Sequence, residues 1–460
     1  MAEQKDLQAG DSREWKERQS AAKGSVNLAE SCQQLAKYGG FDLVETAIDG
    51  VQNMNPEKKA RRKIFLSDAD KAADREALKR TLKLWATTIA GSENVAGMIE
   101  KAEEQSKSAE FLLRSNLLSA LEESRDLERS YRTVALFYKN TESDKLKNVS
   151  IMNAAPDQLR DLDNSRFIDT VAEELKQNYD RLDLRKNYSI LCLPGYLGSN
   201  KVLEKWAKIA YGNKVMLVTD FEHLDEADDV AELFEEANLT GGDVYRSNVM
   251  MTCNWLVGRG KAIQAGEEED LFVPPSGALA GKMYKTLMSQ VTAGKKHGGM
   301  NEVDGVRFDL KKSEIAALEK LGLIPMVNEY GKVMAFSAKT LFNGDNLGLQ
   351  TYSVVRVFDY ITKVLIDFLN RRAFENWNAK TEKELRSQIV RFLDSITGPS
   401  NLIEKFKILR FEQDPVQKDR IFLDIHMTPY FPSKSFMIKL DGQKGDDPDS
   451  AEWASEYAKG

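Results

Sequence analysis

Short apolar runs set between amphipathic stretches constrain this chain most. Val134-Ala135-Leu136-Phe137-Tyr138, Tyr188 to Leu193, Val215 to Thr219 and Val249 to Thr252 are the runs. Amphipathic segments such as Phe167 to Tyr179 and Lys201 to Tyr211 separate them. Alternation of this kind predicts strands joined by helices, an α/β layer domain.

The texture differs on both sides of that zone. Residues 68–138 read as helical, with Leu78, Leu82, Trp85 and Ile89, then Leu113, Leu117, Leu121 and Leu127, at helical spacing. Gly91-Ser92 breaks the pattern, and no heptad persists for four repeats, so packed helices are expected rather than a long coiled coil. Further upstream, Ser25 caps a short helix through Leu28, Cys32 and Leu35, which Gly39-Gly40 ends. A second helix is expected from Phe41 to Val51, and Pro56 with the basic run Lys58 to Lys63 marks a linker.

Downstream, Gly294-Lys295-Lys296-His297-Gly298-Gly299 reads as a flexible break before an α+β unit. Ser313 is expected to cap a helix through Ile315, Leu318 and Leu321. A hairpin, Pro325 to Asn328 and Val333 to Phe336, turns at Gly331. Val354, Phe358, Ile361, Leu365 and Phe368 form one helical stripe. Leu385, Ile389, Phe392 and Ile396 form another, begun by a capping box at Thr381-Glu382-Lys383-Glu384 and stopped by Gly398-Pro399. Phe406 to Phe411, Arg420 to Thr428 and Ser435 to Leu440 predict three strands, with Ile421, Leu423, Ile425 and Met427 on one face and Phe436, Ile438 and Leu440 likewise. After Asp441 the chain turns acidic and is expected to fray.

Composition narrows the function. The 460 residues are 42% apolar and 30% charged, enough for a sizeable core in two or three domains. The net charge of −7 offers no basic excess to neutralise phosphates, so no nucleic acid is expected as partner. Cys32, Cys192 and Cys253 are too sparse for a disulfide framework and lack the spacing of a zinc site, which fits a reducing compartment. The polar N-terminus has no signal-peptide core and no window is apolar enough for a membrane span, so a cytoplasmic chain is expected.

No motif calls for catalysis. Leu193-Pro194-Gly195-Tyr196-Leu197-Gly198-Ser199-Asn200-Lys201 sits where a phosphate loop would, after a strand and before a helix, but has no Gly-Lys-Ser/Thr. Gly258-Arg259-Gly260-Lys261 lacks the upstream Gly and has Ala262 in place of the metal-binding hydroxyl. His223, His297 and His426 have no second ligand at metal spacing. The acidic runs Asp225 to Asp229 and Glu267 to Asp270 read as solvated. No catalytic residue, metal or cofactor is expected.

Three segments carry a family resemblance. Val273-Pro274-Pro275-Ser276-Gly277-Ala278-Leu279-Ala280-Gly281 resembles a segment shared by contractile tail sheath proteins. Its prolines stiffen an extended entry, Gly277 and Gly281 permit close backbone approach, and Ala280 with Gly281 lets the following helix sit tightly on the sheet. Glu314 to Leu341 is similar to the helix and hairpin of those sheaths, with Lys339 where an Arg is usual, and Val355 to Ile361 resembles the helix that follows. The last segment, Phe406 to Phe411, Ile421 to Pro432 and Phe436 to Leu440, looks like the terminal strands of the type VI secretion large sheath subunit, the TssC (VipB-like) family, in a shorter and divergent branch.

The resemblance implies an α/β and α+β fold: a helical N-terminal region (1–132), an α/β sheath domain (133–300), a C-terminal α+β sheath domain (301–442) and an acidic flexible tail (443–460). It also implies a structural subunit, not an enzyme. The partners implied are a small sheath subunit (TssB/VipA-like), an Hcp inner tube, neighbouring copies in a helical array of hexameric rings, a baseplate and a ClpV-type AAA+ unfoldase. The alternatives are a sheath subunit of a phage-like or extracellular particle and, further off, an α/β enzyme with a phosphate loop. Phe406, Ile408, Ile421, Leu423, Ile425, Phe431, Phe436, Ile438 and Leu440 are the expected subunit-interface residues, because an apolar strand edge invites pairing. Pro274, Pro275, Gly277 and Gly281 are the expected core motif, and Leu28, Cys32 and Leu35 the candidate unfoldase target.

Overall fold

The computed structural model describes residues 56–90, 94–141, 146, 149–434, 436–442 and 453–459. The expected helices at Ser25 and Phe41, with Leu28, Cys32 and Leu35, lie outside them. The chain divides into two compact units, Met1–Asn116 and Leu117–Gly460.

The described residues of the first unit are mostly helical. Helix α1 (Pro56–Ser67) contains the basic run expected to be a linker. Helix α2 (Ala72–Ala90) follows a sharp bend that Arg75 closes, its guanidinium donating to the carbonyls of Phe65 (2.8 Å) and Asp68 (2.5 Å). None of the described side chains between 56 and 116 is buried.

Helix α3 (Val95–Asn140) runs for 46 residues and ends in the second unit. It corrects two expectations at once. The helical zone is one long rod at this point, and Val134 to Tyr138 is its last turn, not a strand. A short apolar run does not by itself distinguish a strand from a buried helix. Burial resolves it: Thr133, Leu136 and Asn140 are inside while Val134 and Tyr138 are exposed, a helical period.

The core of the second unit is a five-stranded sheet in the order β1-β2-β3-β7-β8. Helix α4 (Arg166–Tyr179) leads to β1 (Ile190–Leu193), α5 (Asn200–Gly212) to β2 (Met216–Asp220), and α6 (Ala227–Ala237) to β3 (Val249–Cys253). Strands β1, β2 and β3 are parallel. A small antiparallel sheet follows, made of β4 (Leu256–Arg259), β5 (Leu271–Val273) and β6 (Gly305–Val306). Helix α7 (Ser276–Lys285) comes between β5 and β6. Helix α8 (Lys312–Lys320) then returns the chain to the main sheet as β7 (Leu323–Glu329), parallel to β3, and β8 (Lys332–Ala335), antiparallel to β7.

Both faces of the sheet are covered, which is why its strands read as unbroken apolar runs. Leu217, Val249, Met251 and Leu323 pack on one side with Trp206 and Phe234. Met216, Val218, Met250 and Ile324 pack on the other with Leu136, Leu279 and Met283. Gly277 and Gly281 of α7 serve the close approach expected of them, but toward α3 and not toward the sheet. A Cβ at Gly277 would stand 2.7 Å from the Thr133 carbonyl oxygen, and one at Gly281 would collide with the Phe137 carbonyl. Side chains of Ala278, Leu279 and Met283 on the same helix pack with the sheet.

Residues 294–299 are not a loose break. They hold a short helix, Gly294–His297, and Ala335 of β8 donates to the Gly298 carbonyl at 3.3 Å. Two caps lie earlier than expected. Lys311, with its N–H on the Glu314 carboxylate at 2.7 Å, opens α8 in place of Ser313. Asn378 opens α10 (Ala379–Ser395), accepting from the amides of Lys380 and Thr381 at 3.0 Å each. Between them lies α9 (Tyr352–Asn370).

The C-terminal part has two ribbons. Strands β9 (Ile403–Gln413) and β10 (Ile421–Pro429) form an antiparallel pair over α9 and α10. Strand β11 (Phe436–Gly442) pairs with β12 (Trp453–Lys459). The stretch expected to fray thus carries a further strand, because Trp453, Ala454, Tyr457 and Ala458 supply a β-compatible run after the acidic one.

Candidate assembly interface

In an open α/β sheet, ligands bind beyond the carboxyl ends of the strands. Here that place is filled by the protein itself. Asp220, at the end of β2, is fully buried. It accepts from the Gly195 amide (2.8 Å), the Ser276 amide (2.7 Å), the Ser276 hydroxyl (2.5 Å) and the Thr252 hydroxyl (2.5 Å). Burial pushes its pKa up, and the hydrogen bonds from Ser276, Thr252 and Gly195 oppose that rise. The carboxylate therefore occupies the N-terminal end of α7, where an external phosphate would otherwise sit.

The phosphate-like loop is committed to the same hub. Thr219 donates its hydroxyl to the Gly195 carbonyl at 2.9 Å, and Ser199 caps α5 through the Val202 amide. Arg160 closes the outside by donating to the Tyr196 carbonyl at 2.6 and 3.1 Å. Pro274 and Pro275 deliver Ser276 to Asp220. The carboxylate hub was missed from sequence, although an acid ending an apolar strand is a visible signal.

Arg259, from the second glycine-flanked segment, is a clamp. It binds Glu128 of α3 at 2.9 and 3.0 Å and Glu267 at 2.7 and 3.2 Å. Hydrogen bonding to Arg259 holds both carboxylates below their usual range. The acidic run 267–270 is thus not wholly solvated: Glu267 is buried and also meets Arg125 at 3.1 Å. Of the histidines, His223 stacks on Trp255 with centroids 4.9 Å apart. Burial, then the charges of Arg307 and Arg129, push its pKa down to about 4. Among the described residues there is no cluster of His, Cys, Asp and Glu able to hold a metal.

The residues expected at an interface fall into two groups. Phe406, Ile408, Leu423 and Ile425 face inward and pack with Leu385, Ile389 and Leu393 of α10. The spacing 406, 408, 411 would put Phe411 on the wrong face of a regular strand. A bulge corrects it: Asp424 pairs with Arg410 and Ile425 with Ile408, so Leu409 has no partner and projects outward, 62% exposed. Ile421, at the ribbon's end, is exposed, and so is Phe431 in the connection to β11.

Phe436 and Ile438 differ sharply, at 65% and 49% exposed. The side chain of Leu440 lies outside the described residues. Strand β11 pairs with β12 from Phe436↔Lys459 to Gly442↔Trp453, and among the described residues neither strand has another neighbour. A lone two-stranded ribbon is marginal in water unless something covers it. The connection is held by Lys434, whose ammonium lies 2.7 Å from Glu319.

A second bare surface lies on the last turns of α3. Leu127, Tyr131, Val134 and Tyr138 recur at steps of four, three and four and are all exposed. The opposite face of the same turns is buried. Among the described residues no helix is long and apolar enough to cross a membrane.

Three family profiles match in succession. They are the TssC/VipB-like N-terminal region (residues 28–117), the type VI secretion system TssC/VipB central domain (residues 119–343) and the TssC/VipB-like C-terminal domain (residues 351–459). None of the curated proteins matches. Among solved structures the chain is similar to the anti-feeding prophage helical sheath in its contracted state, at 15% identity over 68% of this chain and 81% of that one, TM-score 0.47. It is also similar to the PVC sheath complex of an extracellular contractile injection system, contracted, at 13% identity over 54% and 69%, TM-score 0.40. A sheath tail protein from Desulfitobacterium hafniense is similar at 12% identity over 58% and 60%, TM-score 0.38. With an internally sealed sheet end, strands left open at the C-terminus and successive profile matches from residue 28 to 459, the chain belongs to the TssC/VipB family, the non-enzymatic large sheath subunits of type VI secretion systems.

Proposed function

We propose that the C-terminal strands are the links between neighbouring subunits of the sheath, with β11 and β12 as the working part. As a member of its family the chain assembles with copies of itself into a sheath. The observation that carries the proposal is the β11–β12 ribbon, whose edges have no other strand among the described residues and whose Phe436 and Ile438 are exposed. Covering each of those side chains on association is worth about 1.5–3 kcal/mol. Added strands would satisfy the backbone groups along both edges.

The finer partners follow from the same reading. The stripe Leu127, Tyr131, Val134 and Tyr138 suits a helical surface of the small sheath subunit (TssB/VipA-like). Residues 1–132 then serve partner packing, and 133–300 and 301–442 form the core and its links. The assembled sheath surrounds an Hcp tube in the cytoplasm, seats on a baseplate and is taken apart by a ClpV-type unfoldase. Leu28, Cys32 and Leu35 remain the proposed unfoldase target; unchanged disassembly after deletion of residues 1–40 would contradict that.

The test is co-expression with the small subunit and negative-stain electron microscopy. Tubes are expected with the full chain. Chains ending at residue 434 should still bind the small subunit but form no tubes. Tubes formed by the truncated chain would overturn the proposal, and tubes formed without the small subunit would favour a phage-like particle.

A further inference from the structure

A cavity of about 410 Å³ opens at the end of the sheet opposite Asp220, beneath α9. Nothing in the sealed hub or the C-terminal strands uses it. Its wall is divided. Met216, Met288 and Val364 form an apolar part, and Arg185, Lys214, Arg356 and Lys363 bring four cations to the remainder, of which Arg185 is already paired with Asp183.

The two deepest cations are unusual. Arg356 is only 6% exposed and Lys363 only 9%. Nη1 of Arg356 finds no hydrogen-bond acceptor among the described residues, and Nη2 makes only one long contact, 3.3 Å, to the Met283 carbonyl. Lys363 donates to the Tyr188 carbonyl at 2.8 Å, a neutral partner. Burial pushes Arg356 down to about 10 and Lys363 down to about 8.

The carboxylates on the wall do not balance these charges. Asp359 is shared between the Asn248 amide at 2.7 Å, Lys214 at 3.9 Å and the charge of Lys363, which leaves Arg356 without a carboxylate of its own. Asp367 accepts from the Leu184 amide at 2.8 Å and pairs with Arg371 at 2.7 Å. A buried guanidinium with one long hydrogen bond and no facing carboxylate is destabilising, and a bound anion would relieve that.

We propose that this cavity is a binding site for an oxyanion, a phosphate or carboxylate group, which Arg356 holds with Lys363 and Lys214. A guanidinium suits both groups through paired N–H donors. The volume lies in the range of small-molecule sites, so a single inorganic ion leaves room for an organic body against Met216 and Met288. The anion comes either from a free small molecule or from a carboxylate side chain of a neighbouring copy.

The experiment is thermal unfolding of the full chain in inorganic phosphate, and separately in acetate, against sodium chloride at matched ionic strength. Either anion, or both, should raise Tm saturably, by about 3–8 °C at a hundredfold excess over Kd. The Arg356→Met chain should lose that rise while keeping or exceeding the starting Tm, because an unpaired buried charge has gone. Lys214→Met, at the better-exposed rim, should weaken anion binding several-fold with the fold intact, which keeps the test decisive if Arg356→Met does not fold. A rise no greater than that in chloride, or an equal rise in both variants, overturns the site. The source is read from assembly: phosphate that slows tube formation by the native chain but not by Lys214→Met points to a neighbour's carboxylate. Assembly indifferent to phosphate points to a free anion.

Discussion

Two β-ribbons close this chain, and they differ in what lies beneath them. Strands β9 and β10 alternate apolar and charged residues and set the apolar face on α9 and α10. Strand β11 likewise sets Phe436, Ile438 and Leu440 at alternate positions, yet Phe436 and Ile438 stay largely exposed. The lesson is that one pattern serves two purposes. Where a helix pair supplies the partner surface, the ribbon completes a core; where none does, the apolar face stays exposed, and that is the face proposed to meet another chain. Leu423 and Ile438, alike in sequence, therefore call for opposite interpretations of a mutation.

The first way to break this comparison is Leu423→Asp. It buries an unpartnered carboxylate against Leu385 and Leu393 and should cost more than about 3 kcal/mol, visible as an early urea midpoint of the isolated subunit. An unchanged midpoint would mean that β10 is not anchored. Next is Gly277→Ala in α7. Its Cβ would meet the Thr133 carbonyl at 2.7 Å, so forcing α3 and α7 apart should cost about 1–3 kcal/mol in the same measurement.

A pH series sharpens the contrast between the anchored core and the bare ribbon. His223 has a pKa near 4 in the folded chain against an ordinary 6.5, so the unfolded chain takes up its proton first. Its contribution to stability is complete above about pH 6.5 and declines as pH falls toward 4. In His223→Phe the fall in Tm over that window should be shallower than in the native chain. Parallel slopes would contradict the burial of that ring. The smallest effect is expected from Ile421→Asp, at the exposed end of β10, with a change within about 0.5 kcal/mol.

Much of this architecture is legible in the sequence, and the remainder fails for physical reasons. Strands β1 to β3 and helices α4 and α5 stand within a few residues of where periodicity puts them, since burial on both faces leaves long apolar runs. The end of α3 was misread because five apolar residues fit either period, and only their burial in the folded chain, at Leu136 but not at Val134 or Tyr138, shows the helical one. The Leu409 bulge is legible afterwards in the odd spacing of Phe406, Ile408 and Phe411. Asp220, Arg259 and the Arg356 cavity were not legible, because they depend on distant groups meeting in space: Asp220 and Gly195 are 25 residues apart, Arg259 and Glu128 131, and Lys363 and Tyr188 175.

The central claim is that β11 joins subunits and is dispensable to the subunit itself. The most direct measurement is tube formation by the double variant Phe436→Asp, Ile438→Asp, co-expressed with the small sheath subunit and paired with its thermal midpoint. The account predicts a midpoint within about 2 °C of the native chain and no tubes in the electron microscope. Full-length tubes from that variant, or a collapsed midpoint, would contradict it.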